Sequence, residues 1–471
     1  MSQSYQKSKR KSYDDLLLIG TVLTSEGALP DGKVLVQSGE ITYVGDLCGP
    51  APPGISDASI VDCSGAGASV ISPGFINTHE HIDYATVRPF VDIDGERILH
   101  GHRHDWRVGA RGFAMRTVAV NGSAVAARAW GELRHLFSGT TSIVGGEMAP
   151  GLARNLDFAT GLEEGLAGRP AARYDTFPLK DRHGLMRSGD CDYGPGTIDR
   201  ATAGAYHRYI GHIGEGVDLF AANEFTCLSN MTFDIIPAPA GGGLSTDIMA
   251  PNVALVHALG LSPRDFDVVA ARGAKVVWSP RSNVFLYGKT LNVSYLLDAG
   301  ITVALGTDWL PSGSATMARE AVCAAAVAYE GFGTEIAPRT LWEMATANAA
   351  VVAGVEDRLG SLEVGKLADI VVFGGGERDG SEAVDPFAQA IFAPQERIEL
   401  VLRGGKIILA SSEIGDLAPE GCEQVAFGES EKIVCVADEL GSTFRELEES
   451  LQGVYPAVLP EIPLDEPTCK L

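Results

Sequence analysis

The sequence predicts an α/β protein, a (β/α)8 TIM-like barrel carrying a small β-sandwich domain built from both ends of the chain. Three observations lead there. The central stretch alternates apolar strand-like runs with helical patterns, as parallel strands with crossover helices require. Its length, about 290 residues, suits an eight-stranded barrel. Short strand-like pieces bounded by Gly, Pro or Asp appear near both termini, as if one small β domain were assembled from the two ends.

The elements follow in order. Leu16-Leu-Leu-Ile-Gly, Gly32-Lys-Val-Leu-Val and Ile41-Thr-Tyr-Val-Gly read as N-terminal strands. Their late counterparts are Asp369-Ile-Val-Val-Phe and Ile398-Glu-Leu-Val-Leu-Arg-Gly-Gly-Lys-Ile-Ile-Leu. Residues 14–65 and 361–410 therefore form the composite β domain, and 66–360 the barrel. In the barrel, strands are expected over Val70–His81, Thr140–Glu147, Arg173–Leu179, Arg208–Glu215, Val253–Leu259, Ala274–Ser279 and Ile301–Asp308. An eighth is expected between Lys180 and Tyr206. Helices are expected over Ala124–Phe137, Ala315–Tyr329 and Pro338–Ala350. Residues 1–13 read as a disordered tail. The acidic extension 411–471 is expected to hold a surface helix over Val436–Leu451 and a Pro-rich extended arm.

Composition narrows the function. The chain has 471 residues, 45% of them hydrophobic, so it can bury a sizeable core. Its net charge of −24 argues against a nucleic-acid partner, since such binders carry a basic patch. The polar N-terminus resembles neither a secretory signal nor an anchor, and no run reaches the roughly 18 apolar residues of a membrane span. Eight cysteines are scattered without a Cys-x-x-Cys pair, which speaks against a disulfide scaffold and for a reducing, cytoplasmic setting.

The chemistry begins at Ser69-Val-Ile-Ser-Pro-Gly-Phe-Ile-Asn-Thr-His-Glu-His81. This reads as a buried strand ending in two histidines one residue apart. Side chains alternate along a strand, so His79 and His81 point the same way. Two imidazoles on one face make half of a metal site. His102-Arg103-His104 repeats the spacing within an Arg-rich run, where nearby cations disfavour a metal. That region, Arg97–Arg111, reads either as a substrate lid or as a solvated loop.

Other polar groups stand where barrel enzymes keep theirs, at the C-terminal ends of strands. They are His212 with Glu215 three residues on, His257 after Val253-Ala-Leu-Val, and Asp308 after Gly306-Thr. Each alone has a structural reading, as a packed histidine, a turn or a helix cap. Jointly they complete a metal site.

With these motifs in view, the chain resembles the amidohydrolase superfamily, and most of all the branch of cytosine and guanine deaminases, triazine hydrolases and imidazolonepropionase. The resemblance rests on Pro73-Gly-Phe-Ile-Asn-Thr-His-Glu-His, His212-x-x-Glu215, His257, Ser279-Pro-Arg-Ser-Asn283, Gly306-Thr-Asp308 and Gly360-Ser-Leu-Glu-Val-Gly-Lys-Leu-Ala-Asp-Ile-Val-Val. It covers roughly residues 14–410. It implies a hydrolase of non-peptide C–N bonds acting on a small, cyclic molecule through a metal-activated water. One divalent ion per chain would be held by His79, His81, His212 and Asp308. Zinc suits this set; iron, manganese or cobalt are compatible. Glu215 would be the general acid/base, His257 a substrate-orienting group, and Asp308 a proton acceptor as well as a ligand.

Three alternatives stay open. One is an aminohydrolase releasing ammonia from a heteroaromatic ring. Another is a catalytically silent oligomeric scaffold on the same fold, which loss of the ligands would mark. The third concerns metal count: two-metal relatives carry a carboxylated lysine on the fourth strand, and Lys180 is the lysine able to fill that role. The expected partner is a small molecule, with neither nucleic acid nor membrane involved, and a homo-oligomer by analogy. The Gly-rich excursion around Gly241 reads as a mobile lid and not as a nucleotide loop.

Overall fold

The computed structural model describes residues 15–49, 55, 58–62, 69–91, 97–116, 118, 124–145, 151–159, 162–166, 168–234, 244–375 and 384–471. The N-terminal tail and the Gly241 segment lie outside them.

Strands from both ends of the chain hydrogen-bond into one ten-stranded sheet. Its order is Glu423–Phe427, Ser430–Val434, Lys406–Ser411, Ile398–Arg403, Ile370–Phe373, Val70–Pro73, Leu16–Thr24, Gly27–Gln37 and Glu40–Asp46, with Ser59–Asp62 beside Leu16–Thr24. Alternation builds its core: Leu16 and Leu18, Val34 and Val36, Ile370 and Val372, Leu400 and Leu402 meet in one buried cluster. The hairpin at 423–434 comes from the acidic extension and prolongs this sheet.

Eight shorter strands form two parallel sheets. β1 (Phe75–Asn77), β2 (Thr140–Ile143) and β3 (Arg154–Asn155) make a three-stranded sheet. β4 (Arg173–Asp175), β5 (Tyr209–Ile213), β6 (Val253–His257), β7 (Lys275–Trp278) and β8 (Val303–Leu305) make a five-stranded one. Backbone bonds run between them at both edges. Thr78 N–H donates to Leu305 and His81 N–H to Asp308; Ala172 N–H donates to Leu156. Along β6, Val253 and Leu255 join one buried cluster while Ala254 and Val256 join another, the period-two pattern of a strand covered on both faces.

Two expectations need correction. The run Val70–His81 is not one strand: Val70–Pro73 belongs to the ten-stranded sheet and β1 to the parallel set. Gly74 makes the transfer, and a Cβ there would meet Thr141 Oγ1 at 2.3 Å. No strand lies among the described residues between Lys180 and Tyr206. The missing strand is β3, whose two polar residues carry no apolar run to read. Arg154 instead anchors β3 to the ten-stranded sheet by a two-pronged pair with Asp369, at 2.8 Å on each arm.

Helices follow the strands. α1 (Ala124–Leu136) precedes β2, α2 (Leu219–Ser229) follows β5, α3 (Pro280–Tyr287) follows β7, and α4 (Met317–Phe332) follows β8. Asp218 caps α2 by accepting from the Phe220 and Ala221 N–H groups, and Pro280 opens α3 where a missing N–H costs nothing. The helix expected over Pro338–Ala350 breaks at Thr346 into Pro338–Ala345 and Ala347–Ala353. That expected over Val436–Leu451 is two short pieces, Ala437–Leu440 and Phe444–Ser450, parted by Gly441 in a left-handed conformation.

The cysteine reading is also corrected. Among the described residues six cysteines pair as Cys191–Cys227, Cys323–Cys469 and Cys422–Cys435 and Cys48 is free; Cys63 lies outside them. The separations within the pairs, 36, 146 and 13 residues, follow no motif, so spacing alone could not reveal them. The second bond, with Glu466 between Arg281 and Arg319, pins the C-terminal arm to α3 and α4. No helix among the described residues is long and apolar enough to cross a membrane.

Candidate metal centre

The strand ends bring His79, His81, His212, His257 and Asp308 together. Ligand atoms of His79, His212 and His257 lie within 4.8 Å of one another, as do those of His79, His81 and Asp308. His79 Nε2 is 2.9 Å from Asp308 Oδ1, and His81 Nε2 is 3.5 Å from the same oxygen. Backbone pairing sets this registry: Asp308 N–H donates to His79 at 2.8 Å and His81 N–H to Asp308 at 2.7 Å. Gly306 permits the approach, because a Cβ there would stand 2.6 Å from His79 Cβ.

The donor set fits a divalent ion. His79 Nε2 and His212 Nδ1 are buried and make no hydrogen bond. His79 Nε2 sits beside Asp308 without bonding to it, as lone pairs aimed at a common point do. Burial, with His257 alongside, holds the His79 imidazole well below its usual pKa. Burial, and then His79, lowers His81 to about 4. His212 is lowered by burial, then by His79 and His257. All three are therefore neutral, the form that binds metal. Nitrogen and carboxylate ligands of this number match zinc chemistry.

α3 orients the cluster. Ser282 Oγ donates to Asp308 Oδ2, and Asn283 Oδ1 accepts from His257 Nδ1–H at 2.9 Å. That bond turns His257 Nε2 toward Asp308 Oδ2 at 3.9 Å and Glu215 Oε1 at 4.0 Å. The Tyr287 hydroxyl donates to Glu215 Oε1 at 2.6 Å, and Arg103 Nη1 stands 3.8 Å from Oε2. Burial, then the Glu215 charge, keeps the Tyr287 phenol protonated far above its usual range. His257 and Asp308 both have positive φ, 66° and 70°.

Some expected residues lie elsewhere. Lys180 is 48% exposed and its Nζ faces Asp175 at 3.9 Å. The second histidine pair is not solvated. Arg103–Val108 is a helix, and His102, Arg103 and His104 are buried with Asp181 and Glu224 in a network behind Glu215. Sequence reasoning missed Tyr174, whose hydroxyl is 3.0 Å from His79 Nδ1 and 3.3 Å from His81 Nε2. A lone tyrosine in Arg173-Tyr-Asp175 gave no signal. It gave no role to Ser282, Asn283 or Tyr287, though the first two stand in a motif it singled out. Beside Glu215, Trp106, Trp309, Phe285 and Tyr287 form an aromatic cluster with Tyr84 and Phe90 packed on it.

Residues 238–408 match the family model described as Amidohydrolase family. The chain is 26% identical over 374 residues to a 5-methylthioadenosine/S-adenosylhomocysteine deaminase of Desulforudis audaxviator, covering 73% of this chain and 80% of that one. It is 24% identical over 437 residues to an imidazolonepropionase of Geobacillus kaustophilus, covering 84% and 94%. Among solved structures, an atrazine chlorohydrolase of Arthrobacter aurescens complexed with zinc is similar at a TM-score of 0.59, with 18% identity and coverage of 93% and 100%. An adenosine deaminase of Xanthomonas campestris with bound zinc is similar at 0.55, with 19% identity and coverage of 84% and 93%. At such identities the structural likeness speaks for the fold, a TIM-like α/β architecture.

Proposed function

We propose that this chain, which carries an amidohydrolase family domain, hydrolyses a non-peptide C–N bond of a small cyclic molecule with one divalent ion, zinc by preference. The observation that carries the reading is the convergence of His79, His81, His212 and Asp308, with His79 Nε2 and His212 Nδ1 buried and unpartnered, beside Glu215. When bound there, the ion supplies Lewis acidity and brings the pKa of a water toward about 7.

The chain's own residues supply the rest. Asp308, its Oδ2 held by Ser282, would help hold the ion and take a proton from the attacking water. Glu215, fixed by Tyr287, passes a proton to the departing nitrogen, which leaves poorly unless protonated. His257, fixed by Asn283, orients and polarises the substrate.

A specific observation favours the aminohydrolase variant of this reading. The aromatic cluster of Trp106, Trp309 and Tyr287 packs beside Glu215, an apolar surrounding that suits a planar ring. The deaminase relative points the same way. A silent scaffold is disfavoured because the whole ligand set is present.

We read the eight parallel strands as staves of one (β/α)8 barrel, supported by the backbone bonds at both sheet edges. The ten-stranded sheet is read as the composite β domain expected over residues 14–65 and 361–410, widened by Val70–Pro73 and by the hairpin at 423–434, with the rest of 66–360 as the barrel and the rest of 411–471 as an appendage. A homo-oligomer is proposed by analogy. A cytoplasmic location competes with an oxidising compartment, which the three disulfides favour.

The test is elemental analysis with an ammonia-release screen of cyclic amines and amides. About one metal per chain and turnover of a ring amine support the reading. Protein that binds no metal in any preparation overturns it. About two metals would move Lys180 back into consideration.

A further inference from the structure

We propose that Tyr174 sets the tautomer of His79: its hydroxyl oxygen accepts the His79 Nδ1–H, which leaves the Nε2 lone pair free for the metal. The inference rests on the metal reading above and concerns a residue outside the ligand set.

Tyr174 lies on β4, registered against Ile210 of β5, the strand that carries His212. Its oxygen is 3.0 Å from His79 Nδ1, a good hydrogen-bond length, and 3.3 Å from His81 Nε2, a long one. A neutral imidazole carries one N–H. His79 Nε2 is the nitrogen that faces Asp308 Oδ1 at 2.9 Å and makes no hydrogen bond. If Nδ1 accepted from the phenol, Nε2 would carry the proton and present an N–H where a ligand is needed. The arrangement works as a ligand only with Nδ1 protonated, and the Tyr174 oxygen is the acceptor in place.

Ligating histidines ordinarily give this second N–H to a carboxylate, a backbone carbonyl or water. Here a phenol on a neighbouring strand takes that place. The contact to His81 works in the opposite sense: the phenol O–H can donate to His81 Nε2 only while no ion is bound there. Its length makes it the weaker of the two, so the bond to His79 dominates. Tyr174 is thus a positioning residue, acting on the metal through His79.

The test is the zinc affinity of wild type and Tyr174→Phe by chelator competition, with the visible spectrum of the cobalt-loaded forms. The expected result is affinity about 10–100-fold weaker in the variant, with an unchanged spectral shape, because the donor atoms stay the same. Affinity within twofold overturns the proposal. A spectrum showing loss of an oxygen donor also overturns it, by making Tyr174 a ligand itself. Wild type that binds no metal sinks the underlying reading too, so the two failures are distinguishable. Should Tyr174→Phe not fold, histidine-labelled, zinc-loaded wild type decides by NMR. A protected Nδ1–H with a nuclear Overhauser contact to the Tyr174 ring supports the assignment, and its absence overturns it.

Discussion

The Tyr287 hydroxyl donates a hydrogen bond to Glu215 Oε1 at 2.6 Å, and its own oxygen accepts from Trp106 Nε1–H at 3.0 Å. Tyr287 closes α3, the helix whose first turn supplies Ser282 to Asp308 and Asn283 to His257. One eight-residue helix therefore orients three of the groups that would do the chemistry.

Tyr287→Phe removes the donor and keeps the ring. We predict that kcat falls by about 10-fold, the order of one hydrogen bond to a charged group, while metal content and KM barely change. Steady-state kinetics beside metal analysis check this. A kcat equal to wild type would mean that Glu215 does not depend on the phenol.

His79→Ala and Glu215→Gln should separate binding from chemistry. The first is expected to lose the metal. The second should keep it and lose about 10²–10⁴-fold in kcat, the usual contribution of a positioned acid/base. Retained activity in Glu215→Gln would remove that residue from the mechanism.

Glu320 of α4 is fully buried, and burial lifts its carboxyl from the usual 4.5 to about 8 despite Arg281 nearby. Between those values the folded protein holds a proton that the unfolded chain gives up. Stability therefore falls as pH rises through this window. Glu320→Gln copies the neutral form, so it should gain on wild type by a few kcal/mol, to order of magnitude, between about pH 5 and pH 8.5. Urea midpoints at the two pH values decide, and parallel curves would refute the assignment.

Cys323 and Cys469 are 146 residues apart. Breaking this bond by Cys323→Ser should cost about 2–5 kcal/mol and free the arm from Arg281 and Arg319 to proteolysis. A thiol count on native protein comes first. Free Cys323 and Cys469 would contradict the pairing.

Much of this was legible where periodicity and residue chemistry coincide. The runs ending at His212, His257 and Asp308 are apolar up to the functional residue, so strand and group could be read together. β3 was not legible, because a strand of Arg154 and Asn155 has no apolar pattern, and its place comes from pairing with β2. Tyr174, Ser282 and Tyr287 were hidden for another reason. Their parts depend on distances between elements far apart in sequence, which only the folded chain sets. The buried pair His102 and His104 misled because an Arg-rich run looks solvated until Asp181 and Glu224 are found against it.

His257 and Asp308 hold backbone angles that side chains other than glycine rarely adopt. Each such residue costs on the order of 1–3 kcal/mol. Selection for melting temperature alone would therefore drift toward glycine or asparagine at these two strand ends and produce sturdier, inert proteins. A variant library scored in parallel for abundance and for turnover should show opposite preferences at these positions, and thermostabilisation of this protein would have to hold both of them fixed.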